Sequence, residues 1–160
     1  MPALKSQGIQ LVYHHHLGTV IESQADVERL MDSTGEGVGL LLDFGHLRGA
    51  GGDPLAIAKR YSQRIHHVHC KDLRFPVLDS VRNRDKSFLN GVLDGLFTVP
   101  GDGNVDFLSA LTHLCEQGYQ GWLVVEAEQD PEVAHPLTYA RLGYRNLRQL
   151  AEQAGFDVAS

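Results

Sequence analysis

Short β-type runs alternate with longer helical stretches along this chain, and this alternation limits the fold more than any other feature. The five β-type runs are Ile9–Tyr13, Gly39–Asp43, Ile65–Cys70, Phe97–Val99 and Trp122–Glu126. The second is a continuous apolar run, which is typical of a strand buried on both faces of a sheet. Strands that alternate with helices predict βα units and a parallel sheet.

Helix signals stand between these runs. Ser23 is expected to cap a helix, with Asp26 three residues later as its capping-box partner. Asp53 precedes a proline, which is favoured at the first position of a helix. The stretch 76–96 predicts two short helices, which is more than one crossover needs, and Pro136–Ala154 predicts a closing helix. The helices therefore fall where βα units require them.

Five strand–helix units fit either an open doubly wound sheet or a (β/α)8 barrel. The open sheet predicts a glycine-rich phosphate turn after its first strand, and the sequence has none there. A complete barrel needs about 250 residues, whereas this chain has 160. We therefore expect a single α/β domain over residues 1–160, a barrel about three βα units short. Its open edges predict either a missing N-terminal half or association into a homo-oligomer.

The overall composition excludes several classes of function. The formal net charge of −6 argues against a nucleic-acid partner, which would call for a basic surface. No apolar run reaches the roughly 18 residues of a membrane span, and the N-terminus lacks an export signal. Cys70 and Cys115 are the only cysteines and are far apart, which indicates reduced thiols in a cytoplasmic protein.

Metal-capable side chains and one lysine follow four of the five runs. They are His14, His15 and His16 after the first run, Asp43 and His46 after the second, His67, His69 and Lys71 in and after the third, and Glu126 and Glu128 after the last. Ligands of parallel α/β folds bind at the carboxyl ends of the strands. Side chains also alternate along a strand, so that His67, His69 and Lys71 share one face. The pattern predicts a shared site at this end of the barrel.

Each of these side chains also has a purely structural interpretation. A histidine at a strand end is often a hydrogen-bonded wall residue, Asp43 could cap a helix, and Glu126 could pair with a basic neighbour. Together, however, they would place several charges around one axis, and a cation is the usual solution. Mixed imidazole and carboxylate ligation without thiolate suits Mn²⁺, Co²⁺, Mg²⁺, Fe²⁺ or Zn²⁺. We therefore predict a divalent metal site.

These motifs resemble the xylose-isomerase-like TIM-barrel superfamily, which includes sugar epimerases, endonuclease IV and inosose dehydratases. Five strings are similar to the myo-inosose-2 dehydratase family: YHHHLGT (13–19), DFGHLRGAGGDP (43–54), HVHCKD (67–72), FTVPGDG (97–103) and GWLVVEAEQDP (121–131). The resemblance implies that the chain is the C-terminal portion, about strands 4–8, of a (β/α)8 TIM barrel.

The resemblance also implies a set of metal ligands. In the superfamily these come from strands four, five, six and eight, and are usually Glu, Asp, His and Glu. Asp43, His69 and Glu126 match the last three. The fourth-strand ligand falls within His14–His16, with His14 as the candidate. The implied ion is Mn²⁺ or Co²⁺, and the family also implies glutathione.

The implied reaction removes water from 2-keto-myo-inositol (scyllo-inosose) to give a trihydroxycyclohexane-1,2-dione in myo-inositol catabolism. Lys71 and His46 are the candidate catalytic residues, because the reaction needs proton transfer. The candidate substrate contacts are His14, His16, His67 and Glu128. Two alternatives are a ketose or sugar epimerase or isomerase, which shares the metal but expels no hydroxyl, and a catalytically inactive half-barrel.

Overall fold

Parallel strands form the main sheet of the computed structural model, which describes residues 4 and 6–158. The strands are β1 (Leu11–His14), β2 (Val38–Asp43), β3 (Ile65–Cys70), β4 (Asp72–Leu73), β5 (Phe97–Thr98) and β6 (Leu123–Val125). The main sheet has the order β1-β2-β3-β6 with every pair parallel, and β4 and β5 form a separate antiparallel pair. The carboxyl ends of the four parallel strands therefore lie at one end of the sheet.

Helices lie between and after the strands. They are α1 (Gln24–Ser33), α2 (Phe44–Gly49), α3 (Pro54–Tyr61), α4 (Phe75–Asn83), α5 (Phe88–Leu93), α6 (Leu108–Glu116) and α7 (Pro136–Ala154). Leu40, Leu42 and Val68 are fully buried in a core that includes apolar residues of α1, α3, α6 and α7. Because side chains alternate along a strand, Asp43 and His69 point to the opposite face. One face of the sheet therefore packs in the hydrophobic core, and the other carries the candidate site residues Asp43 and His69.

The predicted helix starts are confirmed. Ser23 and Asp26 form a reciprocal capping box at the start of α1, and the Asp53 side chain accepts from Leu55 N–H at the start of α3. The segment 76–96 contains two short helices, α4 and α5, as predicted. α7 ends at Gly155, whose φ of +98° is the left-handed conformation that glycine adopts most readily.

The prediction of Phe97–Val99 as a strand of the parallel sheet is wrong. The first two of these residues form β5, which pairs antiparallel with β4, and β3 pairs directly with β6. The buried Asp72 carboxylate explains the difference, because it accepts hydrogen bonds from the backbone N–H groups of Gly101, Gly103 and Val105. These bonds hold the turn after β5 against β4. The main sheet consequently has four described strands instead of five.

Two further features differ from the sequence prediction. β1 begins at Leu11 instead of Ile9, and the six-residue helix α2 directly after β2 was not predicted. β1 and β6 each pair with one neighbour, so each leaves one edge of the described sheet open. No helix among the described residues is both long and apolar enough to span a membrane.

Candidate active site

One side chain from the end of each parallel strand enters a common cluster, which we call the metal cluster. It consists of His14 at the end of β1, Asp43 at the end of β2, His69 on β3 and Glu126 directly after β6. One potential ligand atom from each lies within 4.8 Å of all the others. Asp43 and His69 are paired across β2 and β3, so the parallel register itself brings them together. The structure thus brings together the four residues that the sequence named as ligands.

The two carboxylate oxygens of Asp43 have different tasks. Oδ1 accepts a hydrogen bond of 2.9 Å from His46 N–H and caps α2. Oδ2 lies 3.3 Å from His14 Nε2 and 3.6 Å from His69 Nδ1. Burial alone would raise the pKa of Asp43, but the neighbouring imidazoles of His14 and His69 hold it well below its usual range. The helix-cap and metal-ligand interpretations of Asp43 are therefore compatible, because each uses its own oxygen.

Two buried polar atoms of the metal cluster lack a hydrogen-bond partner, as is suitable for a cation site. His69 Nδ1 and Glu126 Oε2 lie 2.5 Å apart, yet they form no hydrogen bond, and both are buried atoms without a partner among the described residues. Buried polar atoms are nearly always satisfied in folded proteins. Two imidazoles and two carboxylates are also a suitable donor set for a divalent metal ion. His14, Asp43, His69 and Glu126 therefore suit such an ion.

The protonation of His69 follows from the same charges. Burial lowers its pKa, but Asp43 and Glu126 outweigh burial and raise the pKa of His69 to about 9. Burial likewise opposes ionisation of Glu126, while His69 and Lys71 lower its pKa. A proton on His69 and a metal ion are thus alternative ways to neutralise the two carboxylates.

A second group, which we call the lysine cluster, lies beside the first and consists of His16, His46 and Glu128 together with Lys71. Lys71 Nζ donates to His46 Nε2 at 2.7 Å and to Glu128 Oε2 at 2.9 Å. It also lies 3.3 Å from Glu126 Oε1, which connects the two clusters. Burial lowers the pKa of His46 to about 2, so its imidazole is neutral and can accept.

The three consecutive histidines take different places. His14 joins the metal cluster and His16 joins the lysine cluster, whereas His15 is fully buried and accepts from Asp43 N–H. Alternation along a strand is the sequence signal for this separation, although the sequence alone left open which of the three histidines is the ligand. His67 belongs to neither cluster; it lies half-buried next to His69, with 5.3 Å between the ring centroids.

A parallel sheet with polar clusters at the carboxyl ends of its strands is the arrangement of the (β/α)8-barrel class. The chain belongs to the xylose isomerase-like TIM barrel family, whose sequence model matches residues 1–155. The predicted fold class, a partial barrel of this family, is thereby confirmed.

Two curated relatives are similar over most of the chain. The rhizopine catabolism protein MocC of Rhizobium meliloti is 57% identical over 96% of this chain and 47% of its own length. The inosose dehydratase of Bacillus thuringiensis (strain Al Hakam) is 48% identical over 92% of this chain and 50% of its own length. The chain thus spans about half the length of the curated relatives it matches.

The fold is also similar to solved structures. The IOLI protein, whose structure contains a bound zinc atom, superposes with a TM-score of 0.70 over 98% of this chain and 54% of its own. Its sequence identity to this chain is 18%, so the likeness concerns the fold alone.

Proposed function

We propose that the whole protein is a metal-dependent hydro-lyase that dehydrates 2-keto-myo-inositol (scyllo-inosose) to a trihydroxycyclohexane-1,2-dione in inositol catabolism. The observation that carries the proposal is the convergence of His14, Asp43, His69 and Glu126 beside the buried Lys71. The 48% identity to an inosose dehydratase supports the choice of substrate. The substrate would be a small cyclic polyol ketone, and the proposal involves neither nucleic acid nor a membrane.

The four residues of the metal cluster would hold the divalent ion, for which we propose Mn²⁺ or Co²⁺. When bound, the ion would act as a Lewis acid on the ketone oxygen of the substrate. Asp43 is fully buried and fixed by the cap of α2, so this ligand is positioned in advance. The pKa of Asp43 lies well below its usual range, which keeps it in the anionic form that a ligand needs.

The lysine cluster would handle the protons. Dehydration removes a proton next to the ketone and delivers one to the departing hydroxyl. Lys71 and His46 share a 2.7 Å hydrogen bond, with the lysine as donor and the neutral imidazole as acceptor. We propose Lys71 and His46 as the residues that transfer these protons. His14, His16, His67 and Glu128 are the proposed substrate contacts.

An ultraviolet assay tests the reaction. The protein is incubated with Mn²⁺ or Co²⁺ and scyllo-inosose, with and without glutathione, and the absorbance of the conjugated dione is followed. Asp43→Ala should abolish both the product and the bound metal, whereas the exposed Asp79→Ala should change neither. Exchange of the α-proton with solvent without loss of water would support an epimerase or isomerase instead. If an authentic inosose dehydratase is active and the protein is not, the inactive half-barrel is supported.

A rhizopine is a second candidate substrate. The relative named for rhizopine catabolism is 57% identical to this chain, whereas the inosose dehydratase is 48% identical. The two substrates can be compared in one experiment by measuring kcat/KM for each with the same metal-loaded protein. A larger kcat/KM for the rhizopine would identify that compound as the preferred substrate.

We also propose that a further half-barrel completes the site. β1 and β6 each leave an edge open, and a closed barrel of this type has eight strands. The completing half is either an N-terminal half or a second copy of the chain. Cys70 and Cys115 are both free, which supports a reducing compartment such as the cytoplasm.

A further inference from the structure

We infer that the Lys71 ammonium is the resident cation of the lysine cluster and excludes a second metal ion from His16, His46 and Glu128. The site would therefore hold one metal ion per chain. This inference deepens the proposed function and rests on it, because it concerns how many ions the proposed metal enzyme carries.

Without the lysine, the three other members of this cluster have the geometry of a metal site. One potential ligand atom from each of His16, His46 and Glu128 lies within 4.8 Å of the others. His46 Nε2 is 3.6 Å from Glu128 Oε2, and His16 Nε2 is 3.7 Å from Glu128 Oε1. Two imidazoles and one carboxylate form a common ligand set for divalent ions.

Lys71 uses the same atoms that a metal ion would use. Its Nζ lies 2.7 Å from His46 Nε2 and 2.9 Å from Glu128 Oε2, the two atoms that are themselves 3.6 Å apart. An ammonium group has donors and no acceptor, so it occupies the lone pairs of both. A second ion could bind these atoms only if the lysine moved away.

The surroundings of Lys71 leave it little room to move. The side chain is fully buried, and its Nζ lies 5.0 Å from the centroid of the Phe97 ring, a favourable place for a cation. Its stem passes close to Gly45, where an added Cβ would lie 2.8 Å from Lys71 Cγ. The glycine at position 45 therefore provides the space through which the lysine enters the cluster.

Charge balance would favour binding of a metal ion once the Lys71 ammonium is removed. Nζ also lies 3.3 Å from Glu126 Oε1 and 3.9 Å from Asp43 Oδ2, so one ammonium serves carboxylates of both clusters. A buried carboxylate that loses its counter-charge is costly, and another cation is one way to restore the balance. A neutral side chain at position 71 should therefore open the cluster to a second divalent ion.

The test is the number of Mn²⁺ ions bound per chain, measured by titration calorimetry and by elemental analysis after desalting. Wild-type protein should bind one ion and Lys71→Met two. Lys59→Met removes the same charge from the exposed side of α3 and should bind one. Adding His16→Ala to Lys71→Met should return the number to one. No gain of an ion in Lys71→Met relative to the wild type, or two ions in the wild type, would overturn the inference.

The design separates this inference from the proposed metal centre. If the wild type binds no ion and Lys71→Met binds one, the proposed metal centre fails and the inference holds. No ion in either protein refutes both. If circular dichroism shows that Lys71→Met does not fold, Lys71→Gln replaces it, because its amide is neutral but still donates hydrogen bonds. Lys71→Gln should then gain one ion relative to the wild type, and no gain would overturn the inference.

Discussion

The buried imidazole of His15 accepts a hydrogen bond at Nε2 from the backbone N–H of Asp43, 3.2 Å away. An imidazole that accepts at Nε2 carries its proton on Nδ1, and this atom has no partner among the described residues. The contact joins the residue after β1 to the end of β2. His15 therefore fixes the backbone of Asp43, while His14 meets its carboxylate.

Replacement of His15 tests this support. His15→Phe keeps an aromatic ring but leaves the Asp43 N–H without an acceptor. A buried, unsatisfied donor costs about 1–3 kcal/mol, so the free energy of unfolding in urea should fall by that amount. The exposed His66→Phe on β3 is the matched control and should change it by less than about 0.5 kcal/mol. Equal stability of the two variants would contradict a role for His15.

The same residue predicts a pH dependence. Burial lowers the pKa of His15 from 6.5 to about 4. Between these values the unfolded chain binds a proton that the folded chain does not, so the stability present above pH 6.5 is lost as the pH falls towards 4. Roughly 3 kcal/mol should be lost over this range. Comparison of urea midpoints at pH 7 and pH 4.5 in wild type and His15→Phe isolates this contribution, because the variant should lose less.

His14 and His16 are expected to differ as metal ligands. His14 lies 3.3 Å from Asp43 Oδ2 in the metal cluster, whereas His16 lies 3.7 Å from Glu128 in the lysine cluster. His14→Ala should weaken Mn²⁺ binding by about 100-fold or more, since loss of an outer partner alone costs about 10–100-fold. His16→Ala should leave the affinity within about 10-fold. The reverse order in calorimetric titration would assign the fourth ligand to His16.

Asp72 should stabilise the fold without binding metal. Asp72 belongs to β4, and its buried carboxylate accepts four backbone hydrogen bonds, three of them from the segment after β5. Gly103 of that segment packs directly against the carboxylate. Asp72→Ala leaves these donors unsatisfied and should lower the free energy of unfolding by at least about 2 kcal/mol. Asp79→Ala, on the exposed side of α4, should have little effect. A loss of metal without a loss of stability would refute this role.

The open edge at β6 predicts association that buries Trp122. This residue is the single tryptophan of the chain, precedes β6 and is 75% exposed. Edge strands and exposed apolar side chains favour pairing with another chain. Light scattering should show association of the 160-residue chain, with a blue shift of tryptophan emission as concentration rises. A monomer with unchanged emission at all concentrations would contradict this prediction.

Local sequence patterns were sufficient for much of the fold. The bounds of β3 and α7 agree with those predicted, because their signals are local: a β-type run, and a proline at the first turn of a long amphipathic helix. The capping box at Ser23 is also local, since its partners are three residues apart. The antiparallel pairing of the segment Phe97–Val99 was not predictable in this way, because the pairing of so short a strand depends on a distant carboxylate, Asp72.

The sequence by itself determined which side chains stand at the ends of the parallel strands. The meeting of His14, Asp43, His69 and Glu126 could be predicted because side chains alternate along each strand and βα units make the strands parallel. Only the tertiary structure decided that His15 accepts a hydrogen bond from the backbone of Asp43 and that Lys71 contacts residues of both clusters. The physical reason is that these contacts depend on distances between segments that lie far apart in the chain. Those distances are set by the packing of the whole sheet and its helices.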